Sequence, residues 1–224
     1  TCAMVEMMYS CELLTAVSGD TVWAARCEDV AFNSLPASMT PDQKALRYLT
    51  SPNLAVSDAK SKSPGVQNSG PMFLFDPYGH RCCQHNVSHG WPYFTKHLWM
   101  AAPGDGLAAI MYAPSQVEAR VGEKGHVVTI TEETKYPFDD EITFTIQTVG
   151  NVEFPIYLRV PQWCSHPEVR VKSANVVREG DVPSEIQGQW IVVRRSWGNG
   201  DVLSLRFPRT IRTRVWEKNH NSIS

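Results

Sequence analysis

The hydrophobic pattern of this chain changes from a helical period to an alternating one around Pro103-Gly104-Asp105-Gly106, and no single type of element can satisfy both halves. Ahead of that point residues 2–17 read as a helix. Met4, Met7, Met8, Cys11, Leu14 and Ala16 recur at broad helical spacing, and Gly19 supplies a stop. Asp20 is placed to cap a second helix that reaches about Phe32, with Val22, Trp23, Ala24, Cys27, Ala31 and Phe32 apolar. So short a connection predicts antiparallel neighbours. Pro36 and Pro41 end the helical character. The polar stretch 51–69, rich in Ser, Lys, Pro and Asn, reads as a long loop, and the short apolar piece Met72-Phe73-Leu74-Phe75 follows it. A third helix is predicted from near Gln84 to Trp99, perturbed by Gly90 and Pro92.

Beyond Gly106 the period is two. Val127, Ile130, Ile142, Phe144 and Ile146 belong to alternating runs, as do Ile156, Leu158 and Val160. Val169-Arg170-Val171, Trp190-Ile191-Val192-Val193 and Leu203-Ser204-Leu205-Arg206-Phe207 continue them, punctuated by Gly150-Asn151 and Gly198-Asn199-Gly200. This half is expected to be antiparallel β, part of a sandwich. The division falls near Gly106, giving a helical domain over 1–106 and a β domain over 107–224.

The bulk properties exclude some partners. Net charge is −2, and no basic stripe runs along the sequence, which argues against nucleic acid. No apolar run approaches the roughly 20 residues of a membrane-spanning helix. Aromatic residues make up 10%, a proportion equally compatible with a carbohydrate-facing cleft and with ordinary cores. The chain opens at Thr1 with helical pattern already running at residue 2, so it is expected to be a piece of a longer protein.

Six cysteines at irregular spacing, in a chain of 224 residues, do not form a disulfide framework. Cys11 and Cys27 fall among apolar helical neighbours and read as buried thiols, and Cys164 lies in a loop of the β half. Cys82 and Cys83 are different. Adjacent side chains on a regular element point in different directions. A disulfide wants Cα atoms roughly 4.4–6.8 Å apart, which neighbours reach only with strain. At the bend where a loop becomes a helix, however, both can converge on one metal ion. Thiolates suit zinc, structural zinc takes four ligands, and Cys2 is a candidate for the third. No local Cys-x-x-Cys supplies a fourth.

Several segments resemble one known family. Thr1-Cys2-Ala3, Ala31-Phe32-Asn33-Ser34-Leu35-Pro36-Ala37 and Cys82-Cys83-Gln84-His85-Asn86 are similar to the catalytic segment of the β-L-arabinofuranosidase-like enzymes, glycoside hydrolase family 127. So are Gly90-Trp91-Pro92-Tyr93-Phe94, His97-Leu98-Trp99-Met100 and Gly106-Leu107-Ala108-Ala109. The resemblance runs in order to about residue 145. It implies the C-terminal portion of an (α/α)6 toroid followed by an antiparallel β-sandwich domain. It also implies a zinc ion held by Cys2, Cys82, Cys83 and a glutamate just ahead of Thr1, with Cys82 also the nucleophile. A further upstream glutamate would be the acid/base, so these 224 residues alone are expected to be inactive. The chemistry implied by the resemblance is that of a retaining glycosidase, with a thiolate on one face of the sugar and an acid on the other. The other role for Cys82 is purely that of a ligand, with a carboxylate elsewhere attacking. The implied partner is a glycan of arabinofuranoside type.

Other residues admit two roles. By the same resemblance Tyr48 is a substrate contact, and otherwise a packed tyrosine. His85, His89 and His97 are spaced to share one helix face, where they would hydrogen-bond rather than ligate. Asn86 would cap or brace the turn after the cysteines, and Glu6, one turn beyond Cys2, would sit at the surface or behind the ligands. Trp91, Tyr93, Phe94 and Trp99 would wedge the third helix against its surroundings. Asp139, Asp140 and Glu141 read as a solvated turn. The competing function is a non-catalytic carbohydrate-binding or scaffold protein with a structural zinc-cysteine site.

Overall fold

Gly19 turns the chain back on itself. At φ 68 it occupies the left-handed region, and its N–H bonds to the Thr15 carbonyl. It separates α1 (Cys2–Ser18) from α2 (Thr21–Asp29), where the Asp20 carboxylate accepts from the Val22 N–H as the expected cap. The computed structural model describes residues 1–47, 73–74, 82–174, 179–181, 185–211, 213–218 and 220–223.

Helical winding continues beyond α2 and past Phe32. It widens into a π-helical turn at Val30–Ser34 and closes as the short α3 (Leu35–Ala37). Pro36 explains the widening. Lacking an N–H, and with a ring that crowds the carbonyl four residues back, it favours a shift of the ladder, and the Leu35 N–H reaches to Val30 O. The antiparallel pair β1 (Ala45–Leu46) and β2 (Phe73–Leu74) comes next. α4 (Cys82–Lys96) starts at the cysteine pair itself rather than near Gln84, and ends at Lys96 rather than Trp99. Pro92 lies inside it, and Gly90 is buried where a Cβ would come within 2.8 Å of Leu35 Cδ2. The glycine therefore serves close helix packing.

The strands form two large sheets. One has the order β11 (Glu185–Gln187), β12 (Trp190–Trp197), β8 (Val152–Arg159), β4 (Gly106–Ala109) and β3 (Trp99–Ala102). The other runs β10 (Glu179–Asp181), β9 (Glu168–Lys172), β13 (Val202–Arg206), β7 (Glu141–Thr148), β6 (His126–Thr134) and β5 (Ser115–Val121). A separate hairpin joins β14 (Val215–Trp216) to β15 (Ser222–Ile223). Residues 103–105 make the turn of the β3–β4 hairpin. Pairing is antiparallel except between β4 and β8, which run parallel. That departs from a wholly antiparallel expectation. The chain leaves β4, builds β5–β7 in the other sheet, and returns in the same direction.

Phe144 and Ile146 from one sheet and Phe154, Ile156 and Trp197 from the other share a single apolar cluster. In β6 the inward residues are Val128 and Ile130, whereas Val127 faces solvent, so the alternation starts one residue later than the sequence reading placed it. β8 is covered on both faces: Ile156 and Leu158 point between the sheets, Tyr157 toward the helices. The helices lie on that outer face, where Val5, Met8, Leu35 and Phe94 pack with Ala108, Ile110 and Met111. α1 buries Val5, Met8, Cys11, Glu12 and Thr15 and leaves Met7, Leu13, Leu14 and Val17 exposed. Of the apolar positions read from its spacing, Met7, Leu14 and Ala16 face outward. α1 is apolar on most sides, so spacing alone could not choose its buried face.

Two outcomes are expected. A Cβ at Gly106 would press on the Pro155 carbonyl oxygen and lie 2.6 Å from the Pro155 ring. Gly106→Ala should therefore destabilise by roughly 1–3 kcal/mol, read as a lower urea midpoint. Glu132 is buried, and burial pushes its carboxyl up to about 8 despite hydrogen bonds from Ser115 Oγ and the Ala113 N–H. Between the ordinary glutamate value and about pH 8 the folded state keeps a proton that the unfolded state has lost. Stability should fall as pH rises through that window, by up to about 1.4 kcal/mol per unit. Urea melts of Glu132→Gln should lose that slope.

Candidate metal centre

α1 and α4 run parallel and in step. Val5 faces Gly90, Tyr9 stacks on Tyr93 with ring centroids 4.5 Å apart, and Glu12 pairs with His97 at 2.7 Å. The first turns of the two helices therefore meet. Cys2 Sγ lies 3.3 Å from Cys83 Sγ, and the Sγ atoms of Cys2, Cys82 and Cys83 all fall within 4.8 Å of one another. Thiolates on a tetrahedral metal with bonds of about 2.3 Å sit about 3.8 Å apart. The three sulfurs thus match three corners of such a site, and soft donors select a soft or borderline ion.

The three differ in exposure: Cys83 is buried, Cys2 half-buried and Cys82 exposed. Burial pushes the Cys83 thiol up to about 11. For Cys2 burial also acts upward, but hydrogen bonds with Asn86, Cys83 and Cys82 outweigh it and leave the thiol below its ordinary value. Two helix N-termini converge on the cluster, and their positive ends favour thiolates. Asn86, expected to brace the turn, lies three residues beyond Cys83, where its hydrogen bonding helps hold the Cys2 thiol down.

Among the described residues, this is the group able to hold a metal ion, and it contains no histidine. His97 lies in the turn beyond α4, bonded to the Glu12 carboxylate. His89 packs 5.7 Å from the Tyr93 ring, and His85 is exposed. Glu6 is exposed and outside the cluster. Tyr48 lies outside the described residues. The aromatic residues form the expected wedge: Phe94 is buried against Phe32 and Trp91, and Trp99 meets Phe144 at 5.6 Å. Asp140 pairs with Arg206 at 3.2 Å, and Glu141 opens β7. Cys11, Cys27 and Cys164 are buried and belong to no disulfide.

Two polar clusters were missed from sequence. Burial raises the Glu12 carboxyl, partly offset by His97 and by the Cys27 thiol, which reaches Glu12 Oε1 at 3.5 Å. Arg159, fully buried, bonds Glu28 at 2.8 Å and the Ile110 carbonyl, while the Tyr112 hydroxyl donates to the Arg159 carbonyl oxygen at 2.6 Å. A lone carboxylate among apolar helical residues was a visible signal for Glu12. Nothing in the sequence links Glu28 to Arg159.

If the three thiols act together, one equivalent of Co2+ added to reduced protein should give a thiolate-to-metal charge-transfer band. Cys83→Ser should lose that band while circular dichroism shows intact helices. A band surviving in Cys83→Ser would disprove a shared site.

The family model described as the β-L-arabinofuranosidase GH127 catalytic domain matches residues 1–96, and that of the GH127 middle domain matches residues 106–209. A solved GH127 β-L-arabinofuranosidase from Geobacillus stearothermophilus T6 is similar at 18% identity and TM-score 0.68, over 94% of this chain and 32% of its own. A structure described as a glycoside hydrolase aligns at 20% identity and TM-score 0.74, over 96% of this chain and 33% of its own. A GH127 β-arabinofuranosidase aligns at 21% identity and TM-score 0.70, over 95% and 32%. These likenesses establish a shared fold, and the chain spans about a third of the length of each structure. No curated protein matches the chain.

Proposed function

The chain belongs to the GH127 β-L-arabinofuranosidase family, and from that premise we propose that it carries the zinc-thiolate part of a retaining glycoside hydrolase acting on β-L-arabinofuranosides or related glycans. The observation that carries this reading is the unequal exposure within one cluster. Cys82 is open to solvent, whereas Cys83 is buried beside Cys2. A nucleophile must reach substrate and a purely structural ligand need not.

Cys2, Cys82 and Cys83 would hold the zinc, with a fourth ligand from the glutamate that the family resemblance puts ahead of Thr1. Bound zinc supplies the positive charge that keeps the three sulfurs deprotonated at neutral pH. Cys82 Sγ attacks the anomeric carbon while a carboxylic acid protonates the departing oxygen. The carbon–sulfur bond to Cys82 is then hydrolysed by water, with the same carboxylate now accepting the proton. Two inversions give net retention. Cys83, fixed by burial, and Cys2, held by Asn86, orient the site. Tyr48 is assigned as a substrate contact.

We read the helices as part of an (α/α)6 toroid over 1–106 and the layered sheets as a β-sandwich domain over 107–224. The outward Met7, Leu13, Leu14 and Val17 of α1 support the first assignment, since further helices would cover such a face. A structural cluster that only pins α1 to α4 is the competing function. It is favoured by the contact of Cys2 with Cys83 across the two helices.

Aryl β-L-arabinofuranosides and metal analysis of the full-length protein separate the two. Zinc is expected in the protein as isolated, and Cys82→Ala should cut kcat by more than about 10³-fold. Full turnover by Cys82→Ala would leave only the structural role.

A further inference from the structure

We propose a second site, for a neutral saccharide, in the cleft between the C-terminal end of α2 and the loops that follow β6 and β8. The cleft encloses about 560 Å3, within the roughly 300–1,000 Å3 of small-molecule sites. It shares no residue with the cysteine cluster, so it goes beyond the glycosidase reading, which supplies only the choice of probe and background for its test.

Arg159 lines the cleft. It is fully buried, and its Nε and Nη2 are engaged with Ile110 and Glu28, but its Nη1 has no hydrogen-bond partner among the described residues. A buried donor in that state calls for an acceptor. The acceptor need not be an anion, because the Glu28 carboxylate already faces the guanidinium. The exposed Asp29 carboxylate on the same cleft also disfavours one. A hydroxyl oxygen satisfies both conditions.

The walls are aromatic and open. Phe138 is 89% exposed and Trp163 is 39% exposed, far more than a ring needs for packing. Trp163 packs edge-on against the Phe207 ring at 6.0 Å, and Tyr136 packs on the same ring at 6.4 Å, so the indole is backed by the β core. Asn33, whose Nδ2 donates to the Asp29 carboxylate at 2.9 Å, brings a carboxamide to the opening. Flat rings for the C–H faces of a sugar, beside carboxamide, carboxylate and guanidinium groups for its hydroxyls, make a complete saccharide-binding set.

Isothermal titration of the full-length protein in a Cys82→Ser background, which prevents hydrolysis, tests this with arabinotriose as the probe and trigalacturonate as its anionic counterpart. Arabinotriose should show a saturable site that Trp163→Ala and Phe138→Ala each weaken at least tenfold, with trigalacturonate binding more weakly. The solvent-facing Phe138→Ala keeps the test valid if Trp163→Ala fails to fold. Absence of saturable binding, or affinity unchanged in Phe138→Ala, would overturn the site. Equal or tighter binding of trigalacturonate would overturn its assignment to a neutral ligand.

Discussion

The ion pair between Glu28 on α2 and Arg159 on β8 fixes how the helical layer sits on the sheets, and the rest of the arrangement depends on it. Both groups are buried, and Arg159 also bonds the Ile110 carbonyl at the end of β4. Such a pair adds little net stability compared with apolar packing, but loss of one partner leaves a buried charge and costs about 3–5 kcal/mol. Its effect is to select one seating out of many. Apolar contacts between Leu35, Phe94, Ile110 and Met111 would tolerate sliding, whereas a guanidinium that must meet a carboxylate and a carbonyl does not.

From that seating the cysteine cluster follows in steps. α2 packs against α1 across the Gly19 reversal, and α1 packs in parallel with α4 through Val5 and Gly90, Tyr9 and Tyr93, and Glu12 and His97. Parallel helices with matched starts bring Cys2 to the Cys82–Cys83 pair and aim two helix dipoles at the same sulfurs. Gly90 permits the approach, because any side chain there would meet Leu35. The π turn ahead of Pro36 places Leu35 on that contact and Phe32 between Phe94 and Tyr136, a bridge of rings from the helices to the β half. The saccharide cleft opens beside the same bridge, so one set of contacts positions both sites.

Particular elements show where the sequence was readable. Asp20 as cap, Gly19 as stop and the alternation through β7 were legible because each rests on local backbone chemistry or on strict period two. The buried face of α1 was not, because Met7, Leu13 and Leu14 are as apolar as Met8, and the choice among them belongs to the neighbours. The continuation of α2 through Val30–Ala37 was masked by Pro36, which a π turn accommodates at no local cost that sequence could reveal. The parallel β4–β8 pairing depends on which sheet the chain visits in between.

Sequence by itself determined the helical and β halves, their punctuation, and a family resemblance that named Cys2, Cys82 and Cys83 as a group. Those properties are carried by residue type, period and motif, which need no partner. Only the tertiary structure decided that the three sulfurs lie within 4.8 Å, that Cys82 is the exposed one, and that Glu28 meets Arg159 across 131 positions. Distance, burial and pairing are properties of the packed layers, fixed by contacts between segments whose sequences carry no mark of one another.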